Sequence, residues 1–550
     1  MILGIEVGGT RTDAVCIQGH TIVASAKVLT GSDLVESIVG VITALKIDCR
    51  DLSRVVLSTT LSTNAIIENK YPRTGMILSA GPGVDPRNFF LSDDFYLVSG
   101  AMDHRGREFE TCSAEEVRAV AAELKRKSIA GVGVVSKFCT RNHAHESQTY
   151  ELIKDDFAYI SLGHLVSGSR NFPRRIHTAY YNTAVMPLQE RFVGSVKKAL
   201  NELGINANLR FLKADGGTYM DSAAERLPVE TIMSGPAASM MGTLARSTQQ
   251  GTVLVLDVGG TTTDIGALLD GAPLLEKGVS VGGRKTLVRG LNTLSVGIGG
   301  DSVVTLADGR LKVGPRREGP PVCLGGHLPT PMDALCVLGD FPEGDGRAAR
   351  LALEALAVPL KCSVDQLALD IVQLTAREIH AAAQRYVAGL NAQPVYTIHE
   401  LLHSEPIRPD QVTLIGGPAS YLRKYVAAAF DEPVEVPDHP EVTNALGAAL
   451  ARTTGQITLL ADTQLGRLTC PELDLVMPID HFCTLADLKQ LGIEALGRNF
   501  AVLGLSPNAQ YDVVEEHSFN MVRGFSTIGK LLRIKIQTRP GIIREWSQSC

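Results

Sequence analysis

Two short segments of this 550-residue chain carry the same chemistry. Ile5-Glu6-Val7-Gly8-Gly9-Thr10-Arg11-Thr12-Asp13 and Leu256-Asp257-Val258-Gly259-Gly260-Thr261-Thr262-Thr263-Asp264 superimpose with six of nine positions identical. In each, an apolar run delivers an acid, Glu6 or Asp257, to a Gly-Gly-Thr turn. Paired glycines expose backbone N–H groups free of Cβ obstruction, and concave N–H arrays bind anions. Threonine hydroxyls add donors. The acid at the strand end holds a metal ion, directly or through water, or orients an attacking water. Two copies can grip a polyphosphate from opposite sides. One Gly-Gly-Thr alone is as readily a plain hairpin turn; the repetition with matching acids is what points to phosphate. A P-loop is excluded, because no G-x-x-x-x-G-K-[ST] occurs, and neither turn continues as the dinucleotide-binding G-x-G-x-x-G.

Other groups carry weaker signals. Thr59-Thr60-Leu61-Ser62-Thr63-Asn64 is a hydroxyl and amide cluster that follows a strand and opens a helix. It reads either as an anion or substrate site or as an ordinary N-cap. His143 and His145 with His104 or Glu146 offer metal donors, but no third ligand stands at a diagnostic spacing, which favours solvated or core histidines. Cys323, His327 and Asp333 suggest a nucleophile or metal site less strongly than a buried thiol beside a loop. Gly297-Ile298-Gly299-Gly300-Asp301-Ser302 reads either as a contact from the cleft wall or as a plain turn before Val303-Val304. Ser234-Gly235-Pro236-Ala237 is expected to break a strand and start a small-residue helix near a hinge.

The elements that position these groups alternate strand and helix. Strands are expected at Ile2–Val7, Val55–Leu57, Met76–Leu78, Val132–Val135, Thr252–Leu256 and Val412–Ile415. Helices are expected where Leu34, Ile38, Val41, Ile42 and Leu45 recur, after Ser113-x-x-Glu116 as a capping box, through Leu188–Leu200, over Ile371–Tyr386 and over Asn444–Ala451. Residues 282–326 are glycine- and proline-rich and read as a loop. The periodicity weakens beyond about residue 455, so residues 456–550 are read as a C-terminal extension, after units at 1–170 and 171–455. Hydrophobic residues are 45%, charged residues 20% and net charge −6, an ordinary globular balance that disfavours nucleic acid and anionic membrane as partners. The N-terminus lacks a signal-like n-region, and ten scattered cysteines contain no Cys-x-x-Cys, which fits reduced thiols in the cytoplasm.

The duplicated turn, with Gly416-Gly417-Pro418-Ala419 later in the chain, resembles the actin-like ATPase superfamily, which includes sugar kinases. The fold this implies is α/β, with duplicated actin-like (ribonuclease H-like) domains around a nucleotide cleft. More closely, the chain resembles the hydantoinase/oxoprolinase family, the A-type subunit of N-methylhydantoinase and acetone carboxylase. The stretches that carry this resemblance are Gly4–Asp13, Ser58–Glu68, Asn142–Glu146, Thr231–Ala238 and Asp257–Asp264. It implies an ATP-dependent hydrolase that activates a cyclic amide or related carbonyl compound by phosphorylation, with a carboxylase-type subunit as a variant. ATP with Mg²⁺ is expected against Gly8, Gly9, Thr10, Arg11 and Thr12 on one side, and Gly259, Gly260, Thr261 and Thr262 on the other. Gly299, Gly300, Gly416 and Gly417 are expected to touch the nucleotide, and Thr60, Thr63 and Asn64 the substrate. Asp257 is the first choice for holding Mg²⁺ or orienting water and Glu6 the second, with Asp13 and Asp264 bracing the hairpins. A B-type partner subunit and an oligomer are expected. Where the family has Asp and an aromatic, this chain has Glu6 and Arg11; the run Pro321–His327 is also altered, and the C-terminal region is shorter. A small-molecule kinase and an ATP-driven reactivase acting on a protein partner are the alternative readings of the same scaffold.

Overall fold

A computed structural model describes residues 1–247, 251–392, 406–503 and 511–543. Ile2–Val7 is a strand buried on both faces, as its nearly unbroken apolar run requires. It runs parallel to Arg54–Thr59 and antiparallel to Arg11–Gln18. The six-stranded sheet has the order Thr218–Met220, Asn208–Leu212, Arg54–Thr59, Ile2–Val7, Arg11–Gln18, Thr21–Leu29. It thus takes strands from both sides of residue 170.

The second sheet repeats this plan. Thr252–Val258 runs antiparallel to Thr263–Leu269 and parallel to Gln411–Ile415. The registers match as well: Glu6 stands opposite Asp13, and Asp257 opposite Asp264. The duplication read in nine residues is therefore a duplication of strand order and pairing.

Two short helices join the sheets. Ser234–Leu244 and Thr443–Leu450 cross with almost no side chain between them. A Cβ on Gly242 would lie 2.0 Å from the Thr443 carbonyl, and one on Gly447 2.0 Å from the Ala238 carbonyl. Gly4 completes the junction, because a Cβ there would lie 2.1 Å from the Ala445 carbonyl. Only glycine permits these approaches. The expected helix at Ser234 is present, and its first turn follows a short 3-10 turn, Pro228–Thr231, instead of a strand.

A four-stranded parallel sheet (Tyr159–Leu162, Gly131–Ser136, Thr74–Ser79, Phe95–Leu97) packs on the 31-residue helix Phe172–Glu202. The expected helices appear at Leu34–Ala44, Ala114–Arg126, Val364–Asn391 and Thr443–Leu450. At Ser113 only half of the capping box forms. Its hydroxyl accepts from the Glu116 amide, while the Glu116 carboxylate accepts from Ser99 instead. The glycine-rich 282–326 stretch is not all loop and contains short strands such as Thr293–Val296, Val304–Ala307 and Arg310–Val313. The C-terminal segment forms a five-stranded antiparallel sheet, Leu475–Pro478, Arg467–Cys470, Gln456–Asp462, Ser526–Thr538, Tyr511–Arg523, backed by the helix Leu485–Leu503. Its core face alternates strictly along the strand, with Leu532, Ile534 and Ile536 inward, and that period-2 signal is easily missed beside helices. Among the described residues no helix is long and apolar enough to cross a membrane, and the nine cysteines are free thiols; Cys550 lies outside the described residues.

Candidate active site

The two hairpin turns are closed in the same way. The Gly8 N–H donates to the Arg11 carbonyl at 3.1 Å, and the Gly259 N–H to the Thr262 carbonyl at 2.9 Å. The N–H groups of Gly9, Thr10, Gly260 and Thr261 find no acceptor among the described residues, and neither do the hydroxyls of Thr10, Thr261 and Thr262. These are the donors a phosphate chain requires.

Each turn is braced from behind. Thr30 donates its hydroxyl to the Gly8 carbonyl and lies 3.0 Å from the Thr12 hydroxyl. Thr12 is fully buried, so the structure places it behind the first turn rather than on its open side. Behind the second turn the Gly300 and Asp301 amides donate to the Gly259 and Gly260 carbonyls. The Gly299 amide donates to Ser302. Gly299 and Gly300 thus hold the turn, and their N–H groups are already engaged. Gly416 is pressed against the second hairpin, where a Cβ would lie 2.2 Å from the Val258 carbonyl and 2.7 Å from Asp257 Oδ1. Gly417 is exposed, with open space beside it.

The acids differ in their surroundings. Asp257 Oδ2 accepts from the Ser239 hydroxyl at 2.6 Å and from the Asn444 amide at 3.0 Å. Those two donors come from the two crossing helices, so the helix junction sets the orientation of this carboxylate. Glu6 is buried, and its carboxylate makes no hydrogen bond among the described residues. Burial, with the charges of Asp13 and Asp257, raises its pKa well above the usual carboxylate range. Burial likewise lifts Asp13 to about 6, against the opposing charge of Lys27 3.2 Å away. Burial and the charge of Asp257 lift Asp264 to about 7. Four acids therefore share one lysine. The buried Asp13 Oδ1 has no partner. A hard divalent cation fits this surplus of oxygen donors. No three of these acids bring oxygens within 4.8 Å of one another. The set suits Mg²⁺ held by one or two carboxylates through its water shell. Arg11 is exposed at the tip of the first turn, and its charge reaches both Asp13 and Asp301 beside the second turn.

The Thr-Asn cluster is partly spent on structure. Thr63 Oγ1 accepts from the Met233 amide, which fixes that residue at φ 58 just before the helix at Ser234. Thr60 and Asn64 hydrogen-bond each other at 3.2 Å, with Asn64 exposed. Asp333 is likewise structural: it accepts from the amides of Val322, Cys323 and Thr330, and burial pushes the Cys323 thiol far from a thiolate.

A second centre was only half legible. His143 and His164 stack at 4.3 Å, and each presents Nε2 to Asp474 Oδ1, at 3.2 and 3.1 Å. His164 Nδ1 lies 2.6 Å from Glu146 Oε2. Burial opposes the charge of Glu146, but the hydrogen bonds from His164 and the Ser136 amide outweigh it and keep its pKa low. With the proton on Nδ1, the lone pair of His164 Nε2 faces a carboxylate oxygen. Either a second ring proton or a cation between them removes that repulsion. Two imidazoles and a carboxylate suit a divalent transition ion, with Glu146 fixing the ring from behind. His145 turns away to Glu108, and His104 is exposed. Asp474 also lines a cavity of about 500 Å³ whose walls include Ser161, Asn182, Lys213, Glu230 and Arg289.

Comparison with known proteins fits this geometry. The hydantoinase/oxoprolinase N-terminal region matches residues 2–157, and the hydantoinase/oxoprolinase model matches residues 175–457. An uncharacterised protein of Methanocaldococcus jannaschii is 25% identical over 70% of this chain and 64% of its own length. The caprolactamase alpha subunit of Pseudomonas jessenii is 27% identical over 50% of this chain and 43% of its own. The 5-oxoprolinase of Saccharomyces cerevisiae is 24% identical over 56% and 26%. The chain thus matches less than two thirds of the length of each of these relatives. The structure of ATP-dependent caprolactamase from Pseudomonas jessenii superimposes with a TM-score of 0.73 at 20% identity, covering 99% of this chain and 88% of that one. Nucleotide-free acetone carboxylase gives 0.68 at 17%, covering 100% and 88%. These likenesses establish the mixed α/β fold, and the two family matches together span both hairpins and His143: the chain belongs to the hydantoinase/oxoprolinase family.

Proposed function

We propose that this chain is the nucleotide-using subunit of an ATP-dependent enzyme that opens a cyclic amide. One observation carries the reading: two matching turns have free amides, and the four acids between them share one lysine. Gly9, Thr10, Gly260 and Thr261 would donate to phosphate oxygens. Asp257, held by Ser239 and Asn444, would take a water of Mg²⁺, with Glu6 opposite. Phosphoryl transfer from ATP to the amide oxygen would activate the carbonyl carbon: water adds there, the ring C–N bond breaks to release the amine, and a second water releases phosphate from the resulting acyl phosphate. Most of the catalysis is then positioning and charge neutralisation by the hairpins. His143, His164 and Asp474 would hold a second divalent ion, whose chemistry there would be to polarise a carbonyl. The caprolactamase relative supports a small lactam as substrate and a second subunit as partner.

An ATPase assay with hydantoins, 5-oxoproline, lactams, ketones and candidate protein partners tests this. Stimulation by a cyclic amide, with ring opening, is the expected result. A stable phosphorylated product would mean a kinase, and stimulation by a protein alone would mean a reactivase.

A further inference from the structure

The segment that braces the second hairpin from behind also delivers an arginine to it. Gly297 and Gly314 are pressed together: a Cβ on Gly314 would lie 2.1 Å from the Gly297 carbonyl, and one on Gly297 2.4 Å from Pro315 Cβ. The Val303 amide then donates to the Arg316 carbonyl at 2.8 Å. These contacts fix the backbone as far as Arg316, and there the side chains diverge. Arg316 pairs with Glu318. Arg317 turns the other way, with one Nη 3.4 Å from Asp301 Oδ2.

Asp301 stands between Arg317 and the second turn. Its amide donates to the Gly260 carbonyl at 2.7 Å. Its Oδ2 lies so near Gly260 that a Cβ there would be 2.5 Å away. The Asp301 side chain is 13% exposed, and its ion-pair partner among the described residues is Arg317. A bare carboxylate beside the free Gly260 amide would repel a phosphate. Arg317 cancels that charge and keeps donors in reserve. The 3.4 Å contact is long for a charge-assisted bond, and the buried Nε has no partner. The guanidinium makes no other hydrogen bond among the described residues. A buried donor without an acceptor is costly until one arrives.

We propose that Arg317 donates to the phosphate chain of ATP at the second turn, completing the cradle begun by the Gly260 and Thr261 amides. The proposal rests on the nucleotide reading of the hairpins and adds a residue to it. A planar fork of N–H donors matches two oxygens of one phosphate. A cation held there also stabilises charge that shifts during phosphoryl transfer.

The test is calorimetric titration of the full chain with the β,γ-imido analogue of ATP and Mg²⁺, in the wild type, Arg317→Gln, Asp301→Asn and the double variant. No cyclic amide is present, so a chain that opened no such ring would leave this result untouched. Unchanged thermal unfolding verifies the fold of each variant. Arg317→Gln should weaken binding about 10- to 100-fold. The double variant separates contact with the nucleotide from cancellation of Asp301. If Arg317 touches phosphate, the double variant binds at least about tenfold more weakly than Asp301→Asn. If Arg317 acts through Asp301 alone, those two variants bind equally, and the proposal is overturned. Binding by Arg317→Gln as tight as by the wild type overturns it as well. A wild type that bound no nucleotide would overturn it together with the hairpin site.

Discussion

Replacing Gly447 by alanine separates local helix propensity from the helix crossing that this architecture depends on. Within a helix, alanine is favoured over glycine by ~1 kcal/mol. At Gly447, however, the new Cβ would lie 2.0 Å from the Ala238 carbonyl and 2.4 Å from the Gly242 nitrogen. Both obstacles are backbone, so the helices must part by about 1 Å to restore contact distance. Asn444 rides on the displaced helix, and its 3.0 Å bond to Asp257 would stretch beyond hydrogen-bonding range. Overpacking costs ~1–3 kcal/mol, and losing a hydrogen bond to a charged group costs ~1.5–3 kcal/mol. Less the propensity gain, the net loss is about 1.5–5 kcal/mol, or a drop in Tm of roughly 3–10 °C. ATP turnover should fall by about 10- to 100-fold as Asp257 loses its orientation. Gly194→Ala is the control, because that glycine lies within the helix Phe172–Glu202 with nothing within 4 Å of the Cβ position. Calorimetric unfolding and an ATPase assay on both variants decide the matter. If Gly447→Ala stabilised the protein as Gly194→Ala should, the reasoning about the junction would be refuted.

Three further outcomes follow from the same geometry. Asp13 and Asp264 have folded pKa values of about 6 and about 7, above the ordinary 3.8, so the native state binds protons more tightly than the unfolded chain. The stability they contribute is present below pH ~4 and is lost as pH rises through about 6 to 7; Mg²⁺ should offset that loss, raising Tm more at pH 8 than at pH 5, and a pH-independent Mg²⁺ effect in scanning fluorimetry would count against a carboxylate site. Glu146→Gln should weaken metal retention at His143, His164 and Asp474 by about 10- to 100-fold, read by elemental analysis after dialysis against graded chelator. Asp257→Asn should keep nucleotide binding in calorimetry yet lose at least about 100-fold in turnover, and unchanged turnover would remove Asp257 from the chemistry.

What could be read in the sequence was local. A strand, an acid and a Gly-Gly-Thr turn lie within nine residues, so the hairpins and their matched acids were visible before any fold was known. The family resemblance extended that reading to the ATPase architecture. Contacts that require distant residues were hidden. His164 and Asp474 meet across 310 positions, and Asp474 reaches the cluster from a left-handed backbone position, φ 51, that no periodicity marks. A stronger clue was available at Glu146, a carboxylate three residues after His143. Thr12, Gly299 and Gly300 show the opposite difficulty. Residue type made them look like ligand contacts, but whether a donor is free depends on which neighbours it has already bonded. The C-terminal sheet was missed because the charged face of its strands is buried against another unit, which blurs the alternation of apolar and exposed positions.

The most direct test follows an oxygen atom. A cyclic amide that stimulates ATP turnover is prepared with ¹⁸O in its carbonyl, and the inorganic phosphate released during ring opening is analysed by mass spectrometry. Phosphorylation of the amide oxygen, breakage of the ring C–N bond to give an acyl phosphate, and water attack at the acyl carbon carry that label into phosphate. Phosphate without the label, released while the ring opens, would contradict the account.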